Sequence, residues 1–231
     1  MKKFIYGILI FFTAYTLYTS VILILFIWID PPTTAFIQQT KESSFESILE
    51  KSNIKQTWIP LDRISNEIKI AVITSEDQLF LDHWGFDVAQ IQKVVEDIEK
   101  GKRIRGASTI TQQVAKNLFL FPQKLWFRKV LESYYTVLIE LIWSKRRIME
   151  VYLNIAEFGK NIYGVEAASS YYFKKSSSYL NSLEGAELAA ILPNPIRYNL
   201  NNQSVYLKKR VNRIIQASKN LDKKKIIKAL D

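Results

Sequence analysis

GASTITQQVAKNLF, residues 106–119, is the stretch that most clearly sets the fold of this chain. At 100° per residue its apolar side chains fall on one face of a helix, and polar side chains form a row on another face. The apolar stripe is Ile110, Val114 and Leu118, and the polar row is Ser108, Gln112 and Lys116, flanked by Thr109 and Gln113. Serine is a favoured helix N-cap, so we predict a helix over 108–119 that starts at Ser108.

The polar row of this helix has two interpretations. A helix N-terminus beside hydroxyls, amides and a lysine can receive sugars and phosphates, because its free N–H groups attract anionic and polar ligands. An ordinary amphipathic helix with a solvated face shows the same pattern and needs no ligand. These residues alone leave both interpretations open.

The helical pattern continues on both sides of this segment. We predict further helices at 64–75, 87–100, 125–154, 183–192, 204–219 and 222–230. No clear run of alternating polar and apolar residues indicates a strand. The sequence therefore predicts one mainly α domain at 58–231, preceded by a polar linker at 30–57 that contains two prolines.

The first 29 residues are predicted to anchor the chain in a membrane. Phe4 to Ile29 carries no charge, and about 20 apolar residues suffice to span a bilayer as a helix. Lys2 and Lys3 precede the run, so the positive-inside rule predicts a cytoplasmic N-terminus and an extracytoplasmic domain. A cleaved signal peptide is the alternative, but its shorter apolar region would end at a small-residue cleavage site, which this run lacks. We expect a single-pass anchor in the cytoplasmic (inner) membrane.

The overall charge and the cysteine count narrow the function classes. The formal net charge is +10 and the chain has no cysteine, which excludes disulfides, thiolate metal sites and cysteine nucleophiles. Lys2 and Lys3 are the only charged residues in the anchor, so the remainder keeps +8. Such a charge favours an anionic partner: a nucleic acid, a phosphorylated substrate or an acidic membrane surface.

Two segments carry candidate chemistry besides the polar row. EDQLFLDHWG at 76–85 ends an apolar helical run with an acidic pair, and the negative end of a helix dipole makes a carboxylate there a better general base. A solvated acidic turn is the alternative.

The second segment is a cation cluster with an embedded carboxylate. One helical face carries Lys124, Arg128 and Glu132, with Lys129 beside them, and such a cluster can bind a pyrophosphate. A simple ion pair at i,i+4 spacing is the alternative. The segments at 144–154 and 157–168 are typical of packed helices and turns.

Taken together, these segments resemble the peptidoglycan glycosyltransferases of glycosyltransferase family 51. Five motifs occur in the family's order: ED-x-x-F-x-x-H-x-G at 76–85, G-x-STITQQ-x-x-KN at 106–117, RK-x-x-E at 128–132, K-x-x-I-x-x-x-YLN at 145–154, and a glycine-alanine block at 157–173. The similarity extends from about residue 58 to 199. Five ordered motifs are far more specific than any one of them.

The resemblance implies a lysozyme-like, two-lobed α fold with an N-terminal transmembrane helix. It also implies an enzyme that polymerises lipid II into glycan strands with inversion and releases undecaprenyl pyrophosphate, in cell-wall biosynthesis. The expected partners are lipid II, the growing glycan chain and membrane lipids, with other cell-wall synthesis proteins as further candidates and no nucleic acid. No cofactor is required, although a divalent cation such as Mg²⁺ can take part.

The resemblance also assigns site residues. Glu76 is implied as the catalytic base, and Glu132 as a second catalytic carboxylate that orients the cations or holds a divalent ion. The implied substrate-binding residues are Ser108, Thr109, Gln112, Gln113, Lys116, Asn117, Lys124, Arg128 and Lys129. No residues are assigned to a protein-bound metal site.

The chain departs from the family pattern at two glycines. Asn161 stands where the family has the second glycine of Phe-Gly-x-Gly, and Lys174 where it has the glycine of Tyr-Phe-Gly-Lys.

Two other functions remain as alternatives. A lysozyme-like enzyme that cleaves glycans would use an acidic carboxyl group and would not need a cation cluster. A membrane-tethered nucleic-acid or scaffold protein would use the lysine-rich C-terminal end, which otherwise forms solvated helix faces near acidic lipid.

Overall fold

The computed structural model describes residues 2–42, 54–101, 106, 108–120 and 126–231. Helices dominate, which confirms the prediction of a mainly α fold. They are α1 (Lys2–Leu25), α2 (Ala35–Glu42), α3 (Asn66–Glu76), α4 (Val88–Glu99), α5 (Ile110–Phe119), α6 (Trp126–Ile142), α7 (Lys145–Ile155), α8 (Val165–Phe173), α9 (Ser182–Ile191), α10 (Val205–Ser218) and α11 (Lys223–Leu230).

A small three-stranded sheet joins distant parts of the chain. Its strands are β1 (Lys55–Gln56), β2 (Glu157–Gly159) and β3 (Ile162–Tyr163), in the order β1-β3-β2. The central strand pairs parallel to β1 and antiparallel to β2. Strands of two or three residues are too short to produce an alternating pattern, so the sequence did not indicate them.

The core of the domain is built around α3 and α5. Ile68 and Val72 of α3 and Ile110 and Val114 of α5 are completely buried. α9 packs closely on α3. A Cβ added at Gly185 of α9 would lie only 3.1 Å from the backbone of Glu67, so the absence of a side chain there permits the close approach. The last residue of α3 and the polar side chains within α5, Gln112, Gln113 and Lys116, are therefore carried by helices with a buried core face.

The predicted helix over 125–154 is two helices in the structure. α6 ends at Ile142, and Ser144 caps α7 by accepting a hydrogen bond from the backbone N–H of Arg147 at 3.2 Å. The apolar periodicity runs through Trp143, which is buried, so the pattern alone hides the break. The Ser144 N-cap was the signal that could have revealed it.

The two departures from family glycines occupy left-handed backbone positions. Asn161 has φ +63° and Lys174 has φ +58°, and they are the non-glycine residues with positive φ in the described part of the chain. Asparagine tolerates this conformation better than most residues, whereas lysine pays a steric cost there. The chain therefore keeps the turn at both sites although it has replaced the glycine.

The N-terminal helix α1 is long and apolar enough to cross a membrane, with a mean hydropathy of 2.2 in its most apolar window. It also packs on the domain. The hydroxyl groups of Tyr15 and Tyr135 lie 2.6 Å apart, and the indole Nε1 of Trp143 donates to the carbonyl of Leu23 at 2.7 Å. Leu23 is completely buried and belongs to the main core cluster. The anchor is thus in direct contact with α6 and the segment that follows it.

Arg147 fastens the end of the anchor to α7. Its guanidinium donates to the carbonyl oxygens of Phe26 at 2.9 Å and Ile29 at 3.2 Å. It also lies 3.1 Å from the carboxylates of both Asp30 and Glu150. Backbone carbonyls at a helix C-terminus lack partners within the helix, so this arginine provides donors to carbonyl groups that follow the end of α1.

Candidate active site

Glu76 is the last residue of α3, and three donors hold its carboxylate. Oε1 accepts from Ser75 Oγ at 2.9 Å and from Arg210 Nη2 at 3.2 Å, while Oε2 accepts from Gln113 Nε2 at 3.1 Å. The side chain is 10% exposed. A mostly buried carboxylate with three donors is fixed in orientation, and one edge remains accessible to a ligand.

The orientation of the Gln113 amide is set from behind. Tyr152 OH donates to Gln113 Oε1 at 3.1 Å, so the amide nitrogen is directed at Glu76. Burial raises the pKa of Tyr152 well above its ordinary value, and the carboxylates of Glu76 and Asp77 act in the same direction. The phenol therefore stays protonated and donates at any physiological pH.

Asp77, the second acid of the pair, is buried and joins neighbouring segments through hydrogen bonds. It is 3% exposed, its Oδ1 lies 2.7 Å from His83 Nε2, and its Oδ2 accepts from the backbone N–H of Ile110 at 3.0 Å. Thr109 Oγ1 donates to the carbonyl of Gly85 at 2.7 Å. These bonds tie the segment 76–85 to the start of α5, so the two motifs hold each other in place.

The N-cap of α5 is Thr109, not Ser108 as predicted. Thr109 Oγ1 accepts from Gln112 N, and Gln112 Oε1 accepts from Thr109 N at 3.0 Å, which forms a capping box. Ser108 is exposed and lies one residue before the cap. Both residues suit a cap, and only the reciprocal glutamine three residues later distinguishes them. Thr109 and Gln112 are buried and engaged in this box. Gln113 instead donates to Glu76, and Lys116 is affected by the charges of Glu76 and Glu132.

The charges of two carboxylates, Glu132 and Glu76, act on Lys116. Burial lowers the pKa of Lys116, and Glu132 counteracts this most strongly, with a smaller contribution from Glu76; Arg128 and Lys129 lower it further. The ammonium group lies 5.3 Å from the centre of the Phe36 ring, which α2 places over it. A mostly buried cation with a reduced water shell interacts strongly with an incoming anion.

Two of the cations predicted to cluster around Glu132, Arg128 and Lys129, lie on α6 with it. Lys129 Nζ lies 2.5 Å from Glu132 Oε1, and Glu132 is 3% exposed. The buried Nε of Arg128 has no acceptor among the described residues. A buried guanidinium N–H without an acceptor leaves a donor for an anionic ligand. Lys124 lies outside the described residues, and Asn117 is buried on α5.

No complete metal site is formed by the described residues. They contain no group of three or more histidine and acidic side chains that could hold a metal ion. Glu132 is the carboxylate nearest to the cluster, and it already accepts from Lys129. Participation of Mg²⁺ therefore stays a prediction.

Three further residues belong to the site and were missed from the sequence. Arg210 lay in a lysine-rich end that suggested solvated helix faces, and Tyr152 lay in a segment that suggested packing alone. Glu157, at the start of β2, is half-buried. Burial raises its pKa to about 7, and a backbone hydrogen bond from Asn161 and the charge of Lys116 partly offset that rise. Only the tertiary fold brings these residues to Glu76 and Lys116.

Comparison with known proteins identifies the family of the chain. The family model described as Transglycosylase matches residues 41–219. Proteins named biosynthetic peptidoglycan transglycosylase are similar to the chain over most of their length. The one from Pseudomonas putida F1 is 48% identical over 192 residues, covering 83% of this chain and 81% of the relative.

Two further relatives carry the same name. The Pasteurella multocida protein is 50% identical over 188 residues, covering 81% of this chain and 76% of the relative. The Haemophilus influenzae protein is 49% identical over 201 residues, covering 87% and 82%. The helical architecture and the family match are consistent with the lysozyme-like fold that the motifs implied. The chain is therefore a glycosyltransferase that belongs to the transglycosylase family, as its five ordered motifs predicted.

Proposed function

We propose that this protein polymerises lipid II into the glycan strands of peptidoglycan, with inversion at the anomeric carbon and release of undecaprenyl pyrophosphate. The observation that carries the proposal is the position of an oriented carboxylate next to a group of cations. Gln113 of α5 holds Glu76, and Lys116, three residues later on α5, is affected by the charges of Glu76, Arg128 and Lys129. The reaction needs a base at one end and a stabilised anionic leaving group at the other. The names of the relatives support the same substrate class.

Glu76 acts as the general base. The acceptor's 4-hydroxyl gives its proton to the carboxylate, and its oxygen forms the new bond to the anomeric carbon. Ser75, Gln113 and Arg210 fix the carboxylate without donating a proton to the substrate. A positioned base within hydrogen-bond reach contributes roughly 10²- to 10⁴-fold to a rate.

The cations stabilise the leaving group. When the bond from the anomeric carbon to the phosphate oxygen breaks, the electron pair goes to the pyrophosphate, which gains negative charge. Lys116 and Lys129 supply point charges and Arg128 a planar fork with a free buried N–H. Glu132 orients Lys129 and helps keep Lys116 protonated, so it acts through the cations.

The anchor places this site beside its substrate. α1 is apolar enough to span a membrane and packs on α6, the helix that carries Arg128 and Glu132. We propose a single-pass protein of the cytoplasmic membrane with residues 58–231 on the extracytoplasmic side. The same geometry keeps the pyrophosphate site near the lipid headgroups. Other cell-wall synthesis proteins are proposed as partners on the basis of the family alone.

Incubation of the purified full-length chain with lipid II in detergent tests the proposal. We expect a polymer that a muramidase digests, together with released undecaprenyl pyrophosphate. Glu76→Gln should abolish the polymer and keep the helical circular dichroism of the wild type. Absence of polymer from well-folded wild-type protein, or cleavage of finished glycan instead, contradicts the proposal and favours a lysozyme-like enzyme.

A further inference from the structure

Helix α10 extends past the catalytic carboxylate. Ser218 and Ile214 of α10 lie beside Glu67 and Ala71 at the start and middle of α3. Arg210, two turns earlier on α10, reaches the C-terminal end of α3. The two helices are therefore antiparallel, and α10 continues beyond the end of α3.

Tyr206 lies one helical turn beyond the Glu76 contact. It precedes Arg210 by four residues, which is about 6 Å along a helix. Its ring stacks on Tyr198, with centroids 5.6 Å apart and planes inclined by 27°. Tyr206 is 50% exposed, so part of its ring is open to a ligand one helical turn from Arg210, the residue that contacts Glu76.

Arginines surround this aromatic pair. Arg210 and Arg213 follow Tyr206 at spacings of four and seven residues, so all three share one side of α10. A hydrogen bond with Tyr198 lowers the pKa of Tyr206, and Arg210 and Arg213 lower it further. Arg197 and Arg210 are the charged groups that act on Tyr198. The ledge formed by Tyr198, Tyr206, Arg197 and Arg213 is thus aromatic and positively charged.

We propose that this ledge binds the acceptor substrate, a sugar ring that bears a peptide with carboxylate groups. The C–H face of a sugar packs on an aromatic ring, and the guanidinium groups of Arg197 and Arg213 pair with the carboxylates of the peptide. This inference rests on the proposed function, because it takes Glu76 as the base for the acceptor hydroxyl.

The placement favours the acceptor over the donor. In an inverting displacement the nucleophile approaches from the side opposite the leaving group. The leaving-group cations lie on α5 and α6, and α6 packs against α5 and the anchor, whereas α10 packs against α3 and α9. Glu76 lies between the two groups, since it contacts Gln113 of α5 on one side and Arg210 on the other. A ligand beyond Glu76 on α10 is therefore on the side of the attacking hydroxyl.

A single-coupling assay measures the two substrates separately. The donor is lipid II with its 4-hydroxyl blocked, so it cannot accept. The acceptor is a lipid-linked disaccharide-peptide in which a non-cleavable linkage replaces the sugar–phosphate bond, so it cannot donate. It is prepared with free peptide carboxylates and, in a second form, with those groups amidated. The full-length chain is used throughout.

Arg213→Ala should raise the KM for the carboxylate acceptor about tenfold, as expected for loss of a charge-assisted hydrogen bond, and should leave the KM for the amidated acceptor unchanged. Tyr206→Ala should raise the KM for both acceptors, and Tyr206→Phe should restore it because the ring is kept. Lys208→Ala, on the opposite side of α10, is the matched control and should change neither. The donor KM should stay constant in all four variants.

Two results would overturn the ledge assignment. Unchanged acceptor KM values in both Arg213→Ala and Tyr206→Ala would show that the ledge does not bind the acceptor. An increase in the donor KM instead would place the growing chain there. Coupling by the wild-type protein supports the proposed function whatever these variants do, so failure of the ledge and failure of the function are distinguishable. If Tyr206→Ala does not fold, Arg213→Ala with the two acceptors still decides.

Discussion

Arg210 Nη2 lies 3.2 Å from Glu76 Oε1, so a helix near the C-terminus completes the environment of the proposed catalytic carboxylate. The same nitrogen donates to Ser75 Oγ at 2.8 Å, and Arg210 Nε donates to the carbonyl of Ala190 at 3.1 Å. The guanidinium thus joins α3, α9 and α10 at the site. Its planar fork makes contacts that a lysine could not reproduce.

Replacement of Arg210 should therefore lower kcat. In Arg210→Ala the carboxylate keeps Ser75 and Gln113 but loses its charged partner, and we expect polymerisation to fall on the order of tenfold to a hundredfold. Arg210→Lys should recover only part of the rate. Lys209→Ala, its exposed neighbour, is the control. Initial rates with lipid II measure the effect, and wild-type rates in Arg210→Ala would show that the contact is only structural.

The cation cluster predicts a second set of variants. Lys116→Ala and Arg128→Ala should each reduce lipid II turnover strongly, because each removes positive charge from the proposed pyrophosphate site. Lys224→Ala, exposed on α11, should have little effect. Charges that meet a buried anion are worth far more than exposed ones. Equal losses in all three variants, measured at matched protein stability, would contradict the cluster.

The sequence predicted the helices and named many of the candidate site residues, but not the residues that converge on Glu76 from a distance. Periodicity located α5, and the motif order singled out Glu76 and Glu132 as candidates. Arg210 was hidden because its partner lies 134 positions away, and a basic helix looks alike whether it faces solvent or a carboxylate. The choice between Ser108 and Thr109 as the cap was similarly local and ambiguous. Tertiary packing decides both, and a single sequence records it only indirectly.

Glu157 should make stability depend on pH. Burial raises its pKa to about 7 in the folded state from 4.5 in the unfolded state. The folded protein therefore holds a proton that the unfolded chain has lost between these values, and stability declines as pH rises from about 4.5 to 7. Glu157→Gln cannot lose this proton. Its midpoint of thermal unfolding relative to wild type should rise over that interval and level off above pH 8. A difference that stays constant from pH 5 to pH 8 would rule out this titration.

The contact between Trp143 and the anchor predicts a stability effect. Removal of residues 1–29 takes away the carbonyl of Leu23, the acceptor of the indole N–H, and a net hydrogen bond of this kind contributes about 0.5–1.5 kcal/mol. In the full-length chain Trp143→Phe should be destabilising. In the truncated chain the same change should be less destabilising or neutral, since the hydrogen bond to Leu23 is already absent. Denaturant unfolding of the four proteins in detergent gives this cycle, and identical effects in both backgrounds would show that the anchor does not use the contact.

The orientation of the anchor is the last prediction. Lys2 and Lys3 precede the apolar run and should hold the N-terminus in the cytoplasm, and no acidic or basic residue interrupts the run from Phe4 to Ile29. Residues 58–231 should then lie outside, where protease added to spheroplasts digests them. A tag at the N-terminus should be protected under the same conditions and digested only after lysis. Because lipid II must be reached from the side on which strands are built, the opposite pattern, with a protected domain and an accessible tag, would contradict both the topology and the route of the substrate to Glu76.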